Sequence, residues 1–210
     1  MAPSLDEVLN NIKDPREWAD YDALVQVMQE VPSLRGMVYG NVVEVEFAEW
    51  LVAEGIPPEH QQRDDDHAKT KSDRTIVVNR RRYTIQMKSM QTNSIKETTP
   101  GSFAAKIQCD ASDRREITLS TGKKVSTTCY RTGEFDILAV GLHPFYGDWR
   151  FAFRTNESLP RSAHRGYTDA DRSELLKTLV DIEWPLPRGG AWTDDLFHLL
   201  RANPLLGTPV

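Results

Sequence analysis

The chain has little cysteine, no long apolar run and no surplus of positive charge. Its two cysteines, Cys109 and Cys129, lie twenty positions apart with no Cys or His close by in sequence. That argues against both a disulfide framework and a zinc site, and the two cysteines are expected to be free thiols, buried or semi-buried. No stretch approaches the roughly 18 apolar residues of a membrane span. The opening MAPSLDEVLNNIKD has no basic segment leading into an apolar one, so a cytoplasmic location without membrane association is expected. Lys and Arg total 26 against 31 Asp and Glu, a net charge of −5, which excludes nucleic-acid binding through overall charge and leaves only local basic clusters. Internal repeats and low-complexity tracts are lacking too. What remains, 39% hydrophobic and 27% charged residues over 210 positions, is the profile of an ordinary globular chain of about one domain.

Periodicity divides this chain into helices, strands and helices again. Ser4 and Glu7 have capping-box spacing ahead of Leu5, Val8, Leu9 and Ile12, which predicts a first short helix. A second is expected from about Asp20, with Ala23, Leu24, Val27, Met28 and Val31 on one side and Pro32 as its end. Both read as packing elements or a partner surface. A longer helix is predicted from about Val38 to Glu54, with Val43, Phe47, Trp50 and Leu51 as its apolar stripe and Gly55 as its stop. The following IPPEHQQRDDDHAKTKSD is polar enough to be a long loop, and its Asp64-Asp65-Asp66 run with His67 reads as a solvated segment rather than a separate metal site.

The period then changes to two. Residues 73–79 and 83–89 are β-branched runs joined by a basic turn at Asn79–Arg82, predicting a hairpin. Between Thr92 and Cys109 the pattern is weak; Pro100-Gly101 breaks it, and SFAAKIQ is read as a helical turn or short helix. A second hairpin is expected around Thr121-Gly122-Lys123. The apolar run at residues 135–142 reads as a central strand buried on both faces, with His143 as a strand-end histidine, and WRFAFR reads as a further, alternating strand. Helices are expected again at Ser173–Val180, capped by Thr168, and at Asp194–Arg201, capped by Thr193.

One constellation carries chemistry. Asp73 opens the first strand of the hairpin, and Gln86 and Lys88 stand two apart on the second, so both point to one face with Asp73 brought alongside. Phosphodiester hydrolysis needs a carboxylate to hold a divalent cation at the scissile phosphate, an activated water, and positive charge against the charge that develops there. Asp73 can supply the first and Lys88 the last; Lys88 could equally position or deprotonate the water.

With these residues, SDRTIVVNRRRYTIQMKS resembles the D-(x)n-(D/E/Q)-x-K signature of the PD-(D/E)XK, restriction-endonuclease-like nuclease superfamily. It departs from the commonest form in having Gln86 for an acid and Ser72 in place of the preceding proline. The resemblance implies an α/β (α+β) fold with an αβββαβ core, its mixed central sheet flanked by helices, over about residues 36–155. It also implies a catalytic glutamate on the preceding helix. Glu44 has the family's spacing, seven residues before Leu51 and eleven before Gly55; Glu46 and Glu49 compete with it, and all three could merely solvate the helix. The implied organisation is an N-terminal helical extension at 1–35, the nuclease core at 36–160 and a C-terminal helical extension at 161–210, together one compact domain.

The implied function is a Mg2+-dependent endonuclease, with Mn2+ as a substitute, that hydrolyses DNA phosphodiester bonds. Glu44, Asp73, Gln86 and Lys88 are its catalytic residues, the first three its metal ligands. A role in restriction or anti-phage defence is expected, with DNA, a second copy of the chain or a higher oligomer, and a defence-system protein as partners. The alternatives are a structure-specific repair or recombination nuclease, and a catalytically idle DNA-binding or assembly subunit of the same fold. Lys96, Lys106, Arg114, Arg115, Lys123, Lys124 and Arg131 are the candidates for DNA-backbone contact. The Arg80–Arg82 run and the group Arg161, His164 and Arg165 are further basic clusters, equally well explained as solvated surface.

Overall fold

The computed structural model describes residues 21–64, 72–90 and 92–210; the helix predicted at residues 4–12, and Asp65, Asp66 and His67, lie outside them. The chain divides into two compact units, residues 1–42 and 43–210, and this boundary differs from the three expected segments. In the first unit, helix α1 spans Tyr21–Glu30 and buries none of its residues. Helix α2 spans Pro32–Ala53, so it starts six residues earlier than its apolar stripe indicates. Pro32 both stops α1 and opens α2, because its missing N–H and fixed φ suit the first turn of a helix.

In the second unit, α2 buries Val43, Phe47 and Leu51 at regular four-residue spacing. Gly55, at φ 87°, ends that stretch of chain as expected. Next come strands β1 (Gln61–Arg63), β2 (Arg74–Val78) and β3 (Arg81–Lys88). Asn79 and Arg80 form the two-residue turn between β2 and β3, at φ 51° and 59°, the left-handed pair that matches the twist of a hairpin. Strand β8 (Ile137–Gly141) lies parallel to β3 and is buried at every position. Strand β9 (Phe151–Thr155) pairs antiparallel to β8. The sheet order is β1-β2-β3-β8-β9, with β11 (Thr208–Pro209) beside the start of β3. The expected class, α+β with a mixed central sheet and a few helices, is therefore what this chain adopts.

Three elements depart from the expectations. The crossover from β3 to β8 runs, among the described residues, through strands where the resemblance implies a helix. These are β4 (Lys96–Thr99), β5 (Ser102–Gln108), β6 (Asp110–Thr118) and β7 (Lys124–Cys129). SFAAKIQ is thus strand β5: its Ala105 and Ile107 alternate inward, and it is the middle strand of β10-β5-β4. The helix expected at Ser173–Val180 is only the short α4 (Asp169–Glu174), with a capping box between Thr168 and Asp171. The chain then extends into β10 (Leu179–Trp184), paired with β5 along its whole length, so the C-terminal segment is not a helical extension. Helix α5 (Leu196–Ala202) is capped by Asp195, not Thr193.

Helix α2 covers one face of the central sheet, where Phe47 meets Phe151 edge-on at 4.9 Å and Val43 lies against Gly141. The other face is covered by the β10-β5-β4 sheet. Leu138, Val140 and Ala152 from the central sheet share a core there with Ala105, Ile107, Val180 and Ile182. β9 is consequently buried on both sides, since Phe151 and Phe153 face the helix and Ala152 faces the second sheet, and it is part of the core sheet.

Candidate functional site

The pairing register fixes which side chains share a face. Arg74 pairs with Ile85 and Thr75 with Thr84, so Ile85 faces α2 together with Arg74 and Ile76. Thr84, Gln86 and Lys88 face the opposite way, as do Thr75 and Asp73. The β2–β3 ladder stops at Arg74. Beyond it the carboxylate of Asp73 replaces the backbone as acceptor: its Oδ2 takes the Met87 N–H at 2.6 Å and a hydrogen bond from Gln86 Nε2. Gln86 is buried, at 3% exposure, and its amide nitrogen is held by Asp73. The amide oxygen is the group it can offer a ligand.

Lys88 is half-buried one step further along β3. Its Nζ donates to the carbonyl of Asp110 at 3.1 Å and lies 5.4 Å from the centre of the Tyr130 ring. Asp73, Gln86 and Lys88 thus converge on one face, at the end of the sheet where β3 finishes and β2 begins. As donors for a cation they provide a carboxylate and an amide oxygen. Among the described residues no group of three or more His, Cys, Asp and Glu gathers in one place. Such a set does not make a closed cage, but it fits a hard ion such as Mg2+, which keeps several waters and completes its shell with substrate phosphate.

No family model and no curated protein matches the sequence. In structure, the chain is similar to a bacterial homing endonuclease, I-Ssp6803I. The likeness covers 80% of this chain and 95% of that one, at 15% identity and a TM-score of 0.44.

Glu44 arrives from the other side. It follows Val43 on α2, whose buried stripe lies on the Phe151–Phe153 face, and its Oε2 pairs with Arg63 Nη2 at 3.4 Å. Arg74 belongs to the same charge group. Burial pulls its guanidinium below the usual arginine value; the charge of Glu44 acts in the opposite direction, Arg63 lowers it further and Asp64 raises it. Because Arg74 is the neighbour of Asp73 in sequence, Glu44 stands at the same end of the sheet as the other three residues, on the α2 side of it.

Asp64 has a structural place. Its carboxylate accepts from Ser72 Oγ and, at 3.2 Å, from Thr75 Oγ1, tying the end of β1 to the start of β2. Ser72, where the commonest form of the signature this hairpin resembles has proline, therefore supplies a hydroxyl that proline cannot.

The seven basic candidates separate sharply. Arg115 pairs with Glu134, Lys123 with Asp171, Lys124 with Glu116 and Arg131 with Glu174. Those pairs anchor the β6–β7 hairpin or link it to α4. Lys96, Lys106 and Arg114 are exposed, the first two on neighbouring strands of the β10-β5-β4 sheet. Of the other basic runs, Arg80 and Arg82 are exposed at the hairpin tip, whereas Arg81 donates to the carbonyls of Leu206 and Gly207. Arg161 donates to the Leu159 carbonyl. His143 opens a four-residue helix, α3 (His143–Tyr146), and its ring lies 4.5 Å from that of Trp149.

Sequence reasoning missed Tyr130 and the Asp110 carbonyl, both in contact with Lys88. No local pattern marks either: one is a side chain 42 positions from Lys88 in the sequence, the other a backbone atom. Both cysteines are free and buried as expected. Burial pushes the Cys109 thiol up to about 12, so near neutrality it stays protonated and unreactive.

Proposed function

We propose that this protein is a Mg2+-dependent endonuclease that hydrolyses DNA phosphodiester bonds, with Mn2+ as a substitute, and that it works in restriction or another form of anti-phage defence. The observation that carries the reading is the convergence of the Asp73 carboxylate, the Gln86 amide and the Lys88 ammonium on one face at one end of the sheet. Asp73 and the Gln86 amide oxygen would hold the cation, with Glu44 as an accessory acid from the α2 side. When bound, the cation supplies charge neutralisation at the phosphate and a more acidic water. Lys88 places a positive charge beside the scissile phosphate, where the low-dielectric wall formed by Tyr130 strengthens it. The hydrogen bonds from Gln86 and Met87 fix the Asp73 carboxylate before substrate arrives, which lowers the reorganisation needed in the transition state. We further propose a homodimer, because a two-fold axis presents two such sites to the two antiparallel strands of a duplex.

A second reading has its own support. Gln86 and Met87 both donate to the same oxygen of Asp73, and the site holds fewer acids than the common form of the signature. An idle DNA-binding subunit of the same fold would share these features.

The test is incubation of the purified protein with supercoiled plasmid, linear duplex and single-stranded DNA in Mg2+, in Mn2+ and in EDTA. Cleavage in Mg2+ that EDTA abolishes is expected. Asp73→Asn, which keeps an acceptor but removes the charge, should lower the rate about a thousand-fold, or ~4 kcal/mol of transition-state stabilisation. Lys88→Ala should act similarly. Duplex binding without cleavage under every condition would overturn the nuclease reading in favour of the idle subunit, and a preference for branched over linear duplex would indicate a repair or recombination role.

A further inference from the structure

The ammonium of Lys88 sits at the end of a long side chain, which by itself is a poor way to hold a charge in one place. Two groups from the β6–β7 hairpin and the residue that follows it constrain the ammonium. One is the carbonyl of Asp110, 3.1 Å from Nζ. That carbonyl lies at a break in the hairpin's register, which passes from Asp110↔Cys129 to Arg115↔Thr127. Four residues on β6 therefore face one on β7, an extended bulge of the kind that re-aims backbone groups beside a site.

The other is the Tyr130 ring, with its centre 5.4 Å from Nζ, inside the range at which an ammonium is attracted to an aromatic ring. This ring is itself immobilised. Tyr130 is 4% exposed and meets Phe135 edge-on at 5.4 Å, and its carbonyl accepts from Leu176 N. A second cation, Arg115, lies 5.6 Å from the same ring, but its charge is compensated by Glu134, which accepts from it at 2.7 Å.

We infer that Tyr130 is a positioning residue of the site: its ring, and not its hydroxyl, sets where the Lys88 ammonium stands relative to Asp73 and Gln86. The inference rests on the nuclease reading above for its catalytic consequence, but not for its geometry. Burial, and after it the charge of Asp73, hold the Tyr130 hydroxyl well above its usual value, so the hydroxyl remains neutral and brings no competing charge. Through this contact the crossover strands, which the resemblance does not imply, become part of the working site.

The experiment uses the full chain, Tyr130→Phe and Tyr130→Leu, with two readouts. The first is the proton shift of the Lys88 ε-methylene in protein carrying 13C-labelled lysine, assigned by loss of its signal in Lys88→Arg. In the wild type and in Tyr130→Phe this signal should be displaced by the ring current, and in Tyr130→Leu it should return to the position of exposed lysines. The second is cleavage of supercoiled plasmid in Mg2+. Tyr130→Phe should stay within about three-fold of wild type, and Tyr130→Leu should lose ten- to a hundred-fold in kcat with KM little changed, the mark of an interaction made in the transition state.

An undisplaced Lys88 signal in the wild type would overturn the inference without any variant having to fold. So would a loss in Tyr130→Phe as large as in Tyr130→Leu, which would assign the role to the hydroxyl. A displaced signal in a wild-type protein that cuts no DNA would overturn the nuclease reading and leave the Lys88–Tyr130 geometry standing.

Discussion

The two faces of the central sheet are held by different forces. On the side of α2, Phe47, Trp50, Phe151 and Phe153 form an aromatic cluster with ring centroids 4.9 to 6.2 Å apart. On the other side, beside the apolar core beneath β5 and β10, there is a row of polar groups: Asp73, Thr75, Thr84, Gln86 and Lys88. Around that row the hairpin and α4 are fastened by ion pairs, Arg115–Glu134, Arg131–Glu174 and Lys123–Asp171. The aromatic side is insensitive to charge and strongly dependent on shape; the polar side is the reverse. A sheet built in this way can keep its fold while the residues at one end of one face are committed to a site.

The largest effect that should separate the faces is structural. Phe47 is fully buried, and Phe47→Ala should cost about 3–5 kcal/mol in urea denaturation through lost transfer energy and the cavity left behind. Asp73→Asn, on the polar side, should change stability by only about 1 kcal/mol or less while removing activity. Equal losses of stability in the two variants would dissolve the distinction.

Glu44 tests the boundary between the faces. If it acts from the α2 side as proposed, Glu44→Gln should reduce cleavage about ten- to a hundred-fold, less than Asp73→Asn, and Arg63→Met should leave the rate within a few-fold. Should the two variants fall together, Glu44 is working only through its ion pair with Arg63, and it belongs to the structural side.

How much of this is legible in the sequence depends on distance along the chain. The β2–β3 hairpin can be read because its information is local: β-branched alternation, a two-residue turn, and Gln86 and Lys88 two positions apart. The buried strand β8 is legible from its unbroken apolar run. By contrast, SFAAKIQ and the residues after Glu174 contain good helix formers, and their strands exist because β5 and β10 pair with each other from Phe103↔Trp184 to Gln108↔Leu179. Tertiary pairing of that range overrides propensity and leaves no local mark. The same holds for the site. Asp73, Gln86 and Lys88 share one hairpin, so their spacing alone brings them together. The position of Glu44 across the sheet, and the approach of Tyr130 to Lys88, follow only from the packing.

Among the exposed basic residues the contrast is between side chains that face a carboxylate, Lys123 and Lys124, and the side chains of Lys96, Lys106 and Arg114. Lys96→Ala, Lys106→Ala and Arg114→Ala should each weaken duplex binding several-fold and reduce the slope of log K against log salt by about 1 for each phosphate no longer neutralised. Lys124→Ala and Lys123→Ala should leave that slope unchanged, since both lysines already face carboxylates. Fluorescence anisotropy with a labelled duplex in EDTA, over a range of salt, measures both quantities. A slope that changes only in the paired set would reverse the assignment.

The smallest effect concerns acid. Asp171 is held below its ordinary value of 3.8, first by the hydrogen bond from the Lys123 side chain. Glu174 is held below 4.5, first by the Ser120 side chain, with Arg131 adding to it. A carboxylate whose folded value is depressed stabilises the fold fully above its unfolded value, and that contribution is lost as the pH falls through the folded one. The Lys123–Asp171 and Arg131–Glu174 pairs should therefore contribute evenly from about pH 7 to 5 and fade below about 4.5. Thermal melts of the wild type and Glu174→Gln should show a Tm gap that is constant at the higher pH values and closes in acid. Phe47→Ala should show a gap that persists throughout, because no proton enters its packing. A Glu174→Gln gap that shows no narrowing as the pH falls below about 4.5 would mean that shape, and not charge, holds the hairpin to α4, and the two faces would then differ less than their composition suggests.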